Sequence, residues 1–181
     1  MVQQLSGTVP WFRDWDPVDL AWLERLGKTA SFVNWETLCC GRAREGTLFV
    51  ILRGTAEVML PDPVTGEERA MVTLRAGAVF GEVSFLDGKP RRGRVQAKGP
   101  CVCWTLDRSG LSQLQQQAPG TAAVLLARLA EGMANRLVRA SEEIVRLQDR
   151  QRPVNEEQRR RVGERALRSL WARWFGGKRD A

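Results

Sequence analysis

Between Thr29 and about Leu106 the apolar and polar residues alternate in short runs, mostly four to eight residues long. The runs are ASFVNWETL, TLFVILRG, TAEVMLP, RAMVTL, GRVQAK and CVCWTL. Turn chemistry separates them: Arg44-Glu45-Gly46, Arg53-Gly54, Pro61-Asp62-Pro63, Ala76-Gly77 and Gly99-Pro100. Many short strands at this spacing predict an antiparallel sandwich, barrel or jelly roll. One stretch breaks the rhythm. Residues 80–92, FGEVSFLDGKPRR, have little strand character.

Helical periodicity flanks the β region. Asp16 suits an N-cap, Pro17 the first helical position, and Asp19 puts a negative charge in the first turn. Leu20, Leu23 and Leu26 then recur at spacing three until Gly27 stops the helix. Trp11, Phe12 and Trp15 lie just before it and are expected to pack it onto a core. After Asp107 a short SGLSQLQQQ helix leads to Pro119, which heads a longer one. There Leu126, Leu129, Met133, Leu137, Ala140, Ile144 and Leu147 approach a heptad seam. Such a stripe covers the helix's own β domain, or its distal half pairs with a second copy, and a homodimer through residues 121–147 is the expectation. Residues 148–160 are polar, contain Pro153 and read as a linker. From Gly163 a last helix carries Ala166, Leu167, Leu170, Trp171, Trp174 and Phe175 on one side, with Arg165, Arg168 and Arg173 on the other.

Charge sharpens this division. The 181 residues carry 28 Lys+Arg against 21 Asp+Glu, a formal +7. Residues 151–181 account for nine of the basic and four of the acidic side chains, so the body is nearly balanced and the tail is basic. The chain has no His, which excludes Ser-His-Asp and Cys-His nucleophilic sites and any imidazole metal site. Cys39, Cys40, Cys101 and Cys103 lack the C-x-x-C knuckle that zinc binding favours. Cysteines two apart on a strand share a face, so Cys101 and Cys103 are expected to pack as small hydrophobes, and no metal is expected. The N-terminal segment lacks a signal peptide's basic and apolar regions. No apolar run approaches the ~20 residues that span a bilayer, so a reducing cytoplasm is the expected compartment.

The irregular stretch is the most informative chemically. A glycine followed by Glu82-Val83-Ser84 can present successive backbone N–H groups, as an anion-binding nest or a helix N-terminus. Arg91, followed by Arg92 and Arg94, can add the paired charge-assisted bonds that suit a phosphate. Glu82 is poorly placed to touch a phosphate but can accept hydrogen bonds from a sugar hydroxyl. A sugar acceptor beside a phosphate donor cluster is the chemistry of a nucleotide pocket. On composition alone, a surface loop with solvated arginines explains the same residues.

Order and context favour the pocket. REGTLFVILRGTAEVML, followed by AGAVFGEVSFLDGKPRRGRVQAK, resembles the cyclic nucleotide-binding domain family, which includes the catabolite activator protein and the regulatory subunits of cyclic-AMP-dependent kinase. The resemblance extends from about Val9 to about Leu147. Leu48-Phe49-Val50-Ile51-Leu52-x-Gly54 matches the family's strand-to-glycine signature, and Phe80-Gly81-Glu82-Val83-Ser84 with Pro90-Arg91 matches its phosphate-binding cassette. The resemblance implies a mainly β fold with flanking helices. It comprises an antiparallel β-roll or jelly roll over about 29–106, a short N-terminal helix, the cassette, and helices over about 107–150. The whole forms a domain of residues 1–150, with a basic linker and amphipathic tail at 151–181. By the same resemblance Glu82 takes the ribose 2′-hydroxyl and Arg91 the cyclic phosphate. Backbone groups near Gly81, Val83 and Ser84 close the cradle, and Val95, Val83 and Leu74 wall the sugar and base. Asn135, Arg136 and Ser141 on the long helix are the polar candidates for capping the base.

Two departures stand out. After the phosphate arginine the family places a small residue and then Ala, whereas this chain has Arg92 and Gly93, both counted among the ligand-site residues. Losing a hydroxyl there leans the expected ligand toward cyclic AMP over cyclic GMP. The turn before β-run TLFVIL reads Arg44-Glu45-Gly46 where the family tends to have Gly-Asp. The expected output is a stand-alone regulatory sensor, not an enzyme, that signals through the long helix and tail. Its alternative is a degenerate, ligand-free scaffold for a protein or a membrane surface. The tail segment 163–175 fits a protein partner or an anionic membrane surface. Sequence-specific DNA binding is not expected, because 31 residues after position 150 cannot build a supported recognition helix.

Overall fold

The computed structural model describes residues 5, 7, 9–40, 46–62, 64–90 and 93–151. A 3-10 turn at Pro10–Phe12 precedes helix α1, Pro17–Leu26. Eight strands follow: β1 (Lys28–Phe32), β2 (Thr37–Cys39), β3 (Leu48–Arg53), β4 (Thr55–Pro61), β5 (Glu68–Arg75), β6 (Val79–Phe80), β7 (Arg94–Ala97) and β8 (Cys101–Leu106). Helix α2, Glu82–Asp87, interrupts them between β6 and β7. Helices α3 (Arg108–Gln117) and α4 (Pro119–Gln151) complete the described chain.

The strands form two four-stranded antiparallel sheets, in the orders β1-β8-β3-β6 and β2-β7-β4-β5. The expected fold class, a β-roll with flanking helices, is the observed one. The run LFVIL is continuously apolar because β3 is buried on both faces. Leu48, Val50 and Leu52 join the core shared with the helices, together with Phe12, Leu23, Phe85 and Leu125. Phe49 and Ile51 point the other way, into the roll, with Ala56, Phe80, Val95 and Ala97. Strand β8 alternates likewise. Trp104 and Leu106 face the helices, while Cys101 and Cys103 face the roll with their sulfurs 3.8 Å apart. The two cysteines therefore pack as small hydrophobes, as expected.

Helix α1 begins and ends where its caps dictate. The Asp16 carboxylate accepts the Val18 N–H at 2.8 Å, and the Gly27 N–H closes on the Leu23 carbonyl at 2.8 Å. Gly27 also leaves room for a neighbour, since a Cβ there would fall 2.1 Å from Trp104 Nε1. The run ASFVNWETL is two strands and not one. It breaks at Val33–Glu36, where Trp35 adopts a left-handed φ of 66° and donates its N–H to the Ala97 carbonyl. Helix α4 runs through Gln151, so the polar stretch from residue 148 begins as helix and not as linker.

Contacts group residues Met1–Ala130 into one compact unit and residues from Glu131 onward into another. Within the first unit, Thr121, Ala122, Leu125 and Leu129 of α4 are buried. Thr121 donates its hydroxyl to Asp19, and Arg128 stacks over the Trp15 ring. Of the seam residues, Leu129 is thus covered by its own chain, whereas Leu137, Ile144 and Leu147 are exposed. The amphipathic segment 163–175 lies outside the described residues.

Candidate functional site

The cassette is built on a sharp reversal between β6 and α2. Phe80 is buried in the roll and stacks on Phe49, with centroids 4.8 Å apart and planes 10° from parallel. Gly81 follows at φ 82°, a left-handed conformation that turns the chain directly from strand into helix. Phe85 donates its N–H to the Gly81 carbonyl at 3.0 Å, the first bond of α2. The amides of Glu82, Val83 and Ser84 precede that bond and, by helix geometry, are its N-terminal donors. Phe85 is fully buried in the helix-side core and pins α2 from below. The helix ends at Gly88, also left-handed, whose N–H returns to the Ser84 carbonyl at 3.0 Å.

Glu82 is only 8% exposed at the head of this helix, whereas Val83 is 53% exposed. A carboxylate at the first position of a helix is favourably placed against its dipole. Ser84 is buried, with its hydroxyl directed at the Gly81 carbonyl at 3.4 Å. The candidates Gly81, Glu82, Val83 and Ser84 thus share one turn of backbone. Arg91 and Arg92 lie outside the described residues.

Gly93 has a packing reason. A Cβ there would fall 2.5 Å from Leu60 Cδ2 and 2.8 Å from the Met59 carbonyl oxygen. The alanine that the family resemblance leads one to expect would not fit against β4. Arg94 is paired across its own sheet. Alternation along β7 sends Val95 and Ala97 into the roll and Arg94 to the opposite face. There its guanidinium pairs with Glu68 at 2.7 Å and donates to Gln96 at 2.8 Å.

Of the three apolar wall candidates, Val95 is buried in the roll and Leu74 packs partly buried against the same cluster. The strand register adds two residues that sequence reasoning missed. Val95 pairs with Val58 on β4, and Val58 pairs with Val72 on β5, so the three share one face. Val72 is 53% exposed on that face. The β4–β5 register would have revealed them, but a bulge between Val58 and Met59 hides it from simple alternation. Asn135, Arg136 and Ser141 are exposed on α4 beyond Ala130. Among the described residues no cluster of His, Cys, Asp or Glu could hold a metal, and no helix is long and apolar enough to cross a membrane.

Residues 31–118 match the family model of the cyclic nucleotide-binding domain. The fold is similar to that of a cyclic nucleotide-binding domain from Methylobacillus flagellatus, with a TM-score of 0.68 and 24% identity over 82% of this chain and 80% of that one. It is also similar to the Thermus thermophilus catabolite activator protein, with a TM-score of 0.64 and 22% identity over 77% of this chain and 63% of that one. A curated relative, the potassium channel AKT2 of Oryza sativa subsp. japonica, is 29% identical over 79 residues. That match takes in 44% of this chain and 9% of the channel.

Proposed function

We propose that this chain, whose residues 31–118 match the family model of the cyclic nucleotide-binding domain, senses a cyclic mononucleotide and regulates a partner without catalysing a reaction. The observation that carries this reading is the buried Glu82 at the head of α2, set there by left-handed Gly81. A carboxylate at this place can accept a hydrogen bond from a ribose 2′-hydroxyl. The amides of Val83 and Ser84 present donors to the cyclic phosphate, and Arg91 supplies the guanidinium that neutralises it. The face made by Val95, Val58 and Val72, with Val83 beside the cassette, offers apolar cover for sugar and base. With Arg92 and Gly93 in place of a hydroxyl-bearing residue, cyclic AMP is preferred over cyclic GMP.

Calorimetric titration of the full chain with each nucleotide tests the proposal. Micromolar or tighter binding of cyclic AMP, lost in Arg91→Ala and in Glu82→Gln, is the expected result. No heat from either nucleotide overturns it.

A second reading rests on Arg92 itself, a long side chain where the family resemblance implies a small one. A side chain filling the cassette would leave a ligand-free scaffold. In that case Arg92→Ser gains nucleotide binding that the natural chain lacks.

The output runs through the distal part of α4, where Leu137, Ile144 and Leu147 are exposed along the heptad seam. A second copy of the chain is the partner that fits a self-complementary stripe of this kind. The basic segment 163–175 then serves a protein partner or an anionic membrane surface, in a reducing cytoplasm.

A further inference from the structure

Three separate segments of the first unit meet at one arginine. Arg108 is the first residue of α3, and its backbone is fixed because the Asp107 carboxylate caps that helix through the Gly110 N–H at 2.8 Å. Its side chain occupies space that two glycines leave open. A Cβ at Gly46, two residues before β3, would fall 2.5 Å from Arg108 Cδ and 2.7 Å from its Cγ. A Cβ at Gly88, the C-cap of α2, would fall 2.7 Å from Arg108 Nη1. The same Cβ at Gly46 would lie 3.2 Å from the Ser84 carbonyl oxygen, the group that accepts the Gly88 N–H. The aliphatic stem is therefore held against Gly46 and the guanidinium against the end of α2. A cation at a helix C-terminus also has the favourable sign for that helix's dipole.

We infer that Arg108 is the positioning residue of the cassette, bracing α2 from its C-terminal end so that Gly81 and Glu82 keep their place at its N-terminal end. Helix α2 has six residues and is about 9 Å long, so it moves as one piece. Phe85 holds its middle. A tilt about Phe85 that is unopposed at Gly88 appears at Glu82 with opposite sign. The neighbours of Arg108 at Gly46 and Gly88 are not residues assigned to the nucleotide, so its effect on affinity is indirect. The same side chain ties α2 to α3, which abuts α1 through the Arg25–Gln117 hydrogen bond.

The inference rests on the cyclic nucleotide reading for its affinity arm but not for its structural arm. Hydrogen exchange by mass spectrometry on the full chain, without nucleotide, is compared for the natural protein, Arg108→Ala, Arg108→Lys and Gly46→Ala. Faster exchange confined to residues 82–88 in Arg108→Ala and Gly46→Ala is expected, with β3 and β8 unchanged and with recovery in Arg108→Lys, which keeps the stem. Cyclic AMP titration should then show affinity lowered about tenfold in Arg108→Ala. Arg13→Ala, which removes an exposed arginine of the same unit, should keep affinity within about twofold. Unchanged exchange over 82–88 overturns the brace, whatever the nucleotide result. Faster exchange there with unaltered affinity overturns the positioning role. Exchange that rises equally in every strand makes Arg108 a general stability residue and also overturns it. Absence of cyclic AMP binding by the natural protein refutes the ligand reading, and the exchange data alone then decide the brace.

Discussion

A methyl group at residue 93 has nowhere to go. The Met59 carbonyl belongs to β4 backbone and cannot move aside as a side-chain tip could. Gly93→Ala should therefore destabilise the chain by about 1–3 kcal/mol, although alanine is what the family resemblance implies there. Urea unfolding measures this, and a variant as stable as the natural chain would show that β4 is free to yield. The roll's cysteines allow a second test. Burial raises the Cys103 thiol pKa far above its ordinary value, and the neighbouring Cys101 adds to the effect. Cys101 is raised as well, mainly by burial. A thiol that titrates higher when folded keeps its contribution to stability intact at neutral pH. Its contribution is lost to the unfolded state as pH climbs past the unfolded value of about 8.5. Stability should thus fall from about pH 8.5 upward. A thiol reagent at pH 8 should leave Cys101 and Cys103 unmodified until the protein unfolds. Rapid modification of either under native conditions would contradict their burial.

At the scale of elements, caps decide where helices begin. Asp107 heads α3, and its carboxyl titrates below its ordinary range because the Ser109 hydroxyl and the Gly110 N–H both donate to the charged form. A depressed folded pKa contributes stability that is fully present above the unfolded value of about 3.9 and is lost as pH falls on through the lower folded value. Asp107→Ala should cost about 1 kcal/mol at pH 7, and the gap should close on acidification toward pH 3. An equal gap at both pH values would rule out the carboxylate as its source. Long elements with caps and strong periodicity were legible in the sequence. Helix α1 shows both stops, and β3, β4 and β8 follow their apolar runs. Short elements were not. β6 has two residues and α2 six, too few to display a period, and their geometry comes from Gly81 and the buried Phe80 and Phe85. Glu82 could be named from the cassette's residue order, but its burial depends on the fold around it. The pairing of Arg94 with Glu68 was not legible because its direction follows from β7 alternation, and β7 starts beside Gly93, which lies against β4.

At the scale of the whole molecule, the long helix divides its apolar residues between two tasks. Leu125 and Leu129 complete the core of the first unit, while Leu137 is 69% exposed and Ile144 56% exposed. If the exposed stripe meets a second copy, Leu137→Glu with Ile144→Glu should turn a dimer into a monomer in sedimentation equilibrium, with cyclic AMP affinity retained. A natural chain that sediments as a monomer at high micromolar concentration would remove the second copy from the mechanism. Strand β3 carries a different kind of consequence. Its odd and even side chains belong to different cores, so the roll and the helical cover share a single wall. Neither compartment can be lost while the other persists, since melting one strips the wall from its neighbour. The amides of Phe49 and Ile51 should therefore exchange in the same cooperative opening as those of Leu48, Val50 and Leu52, without a partly open form in which one side keeps protection.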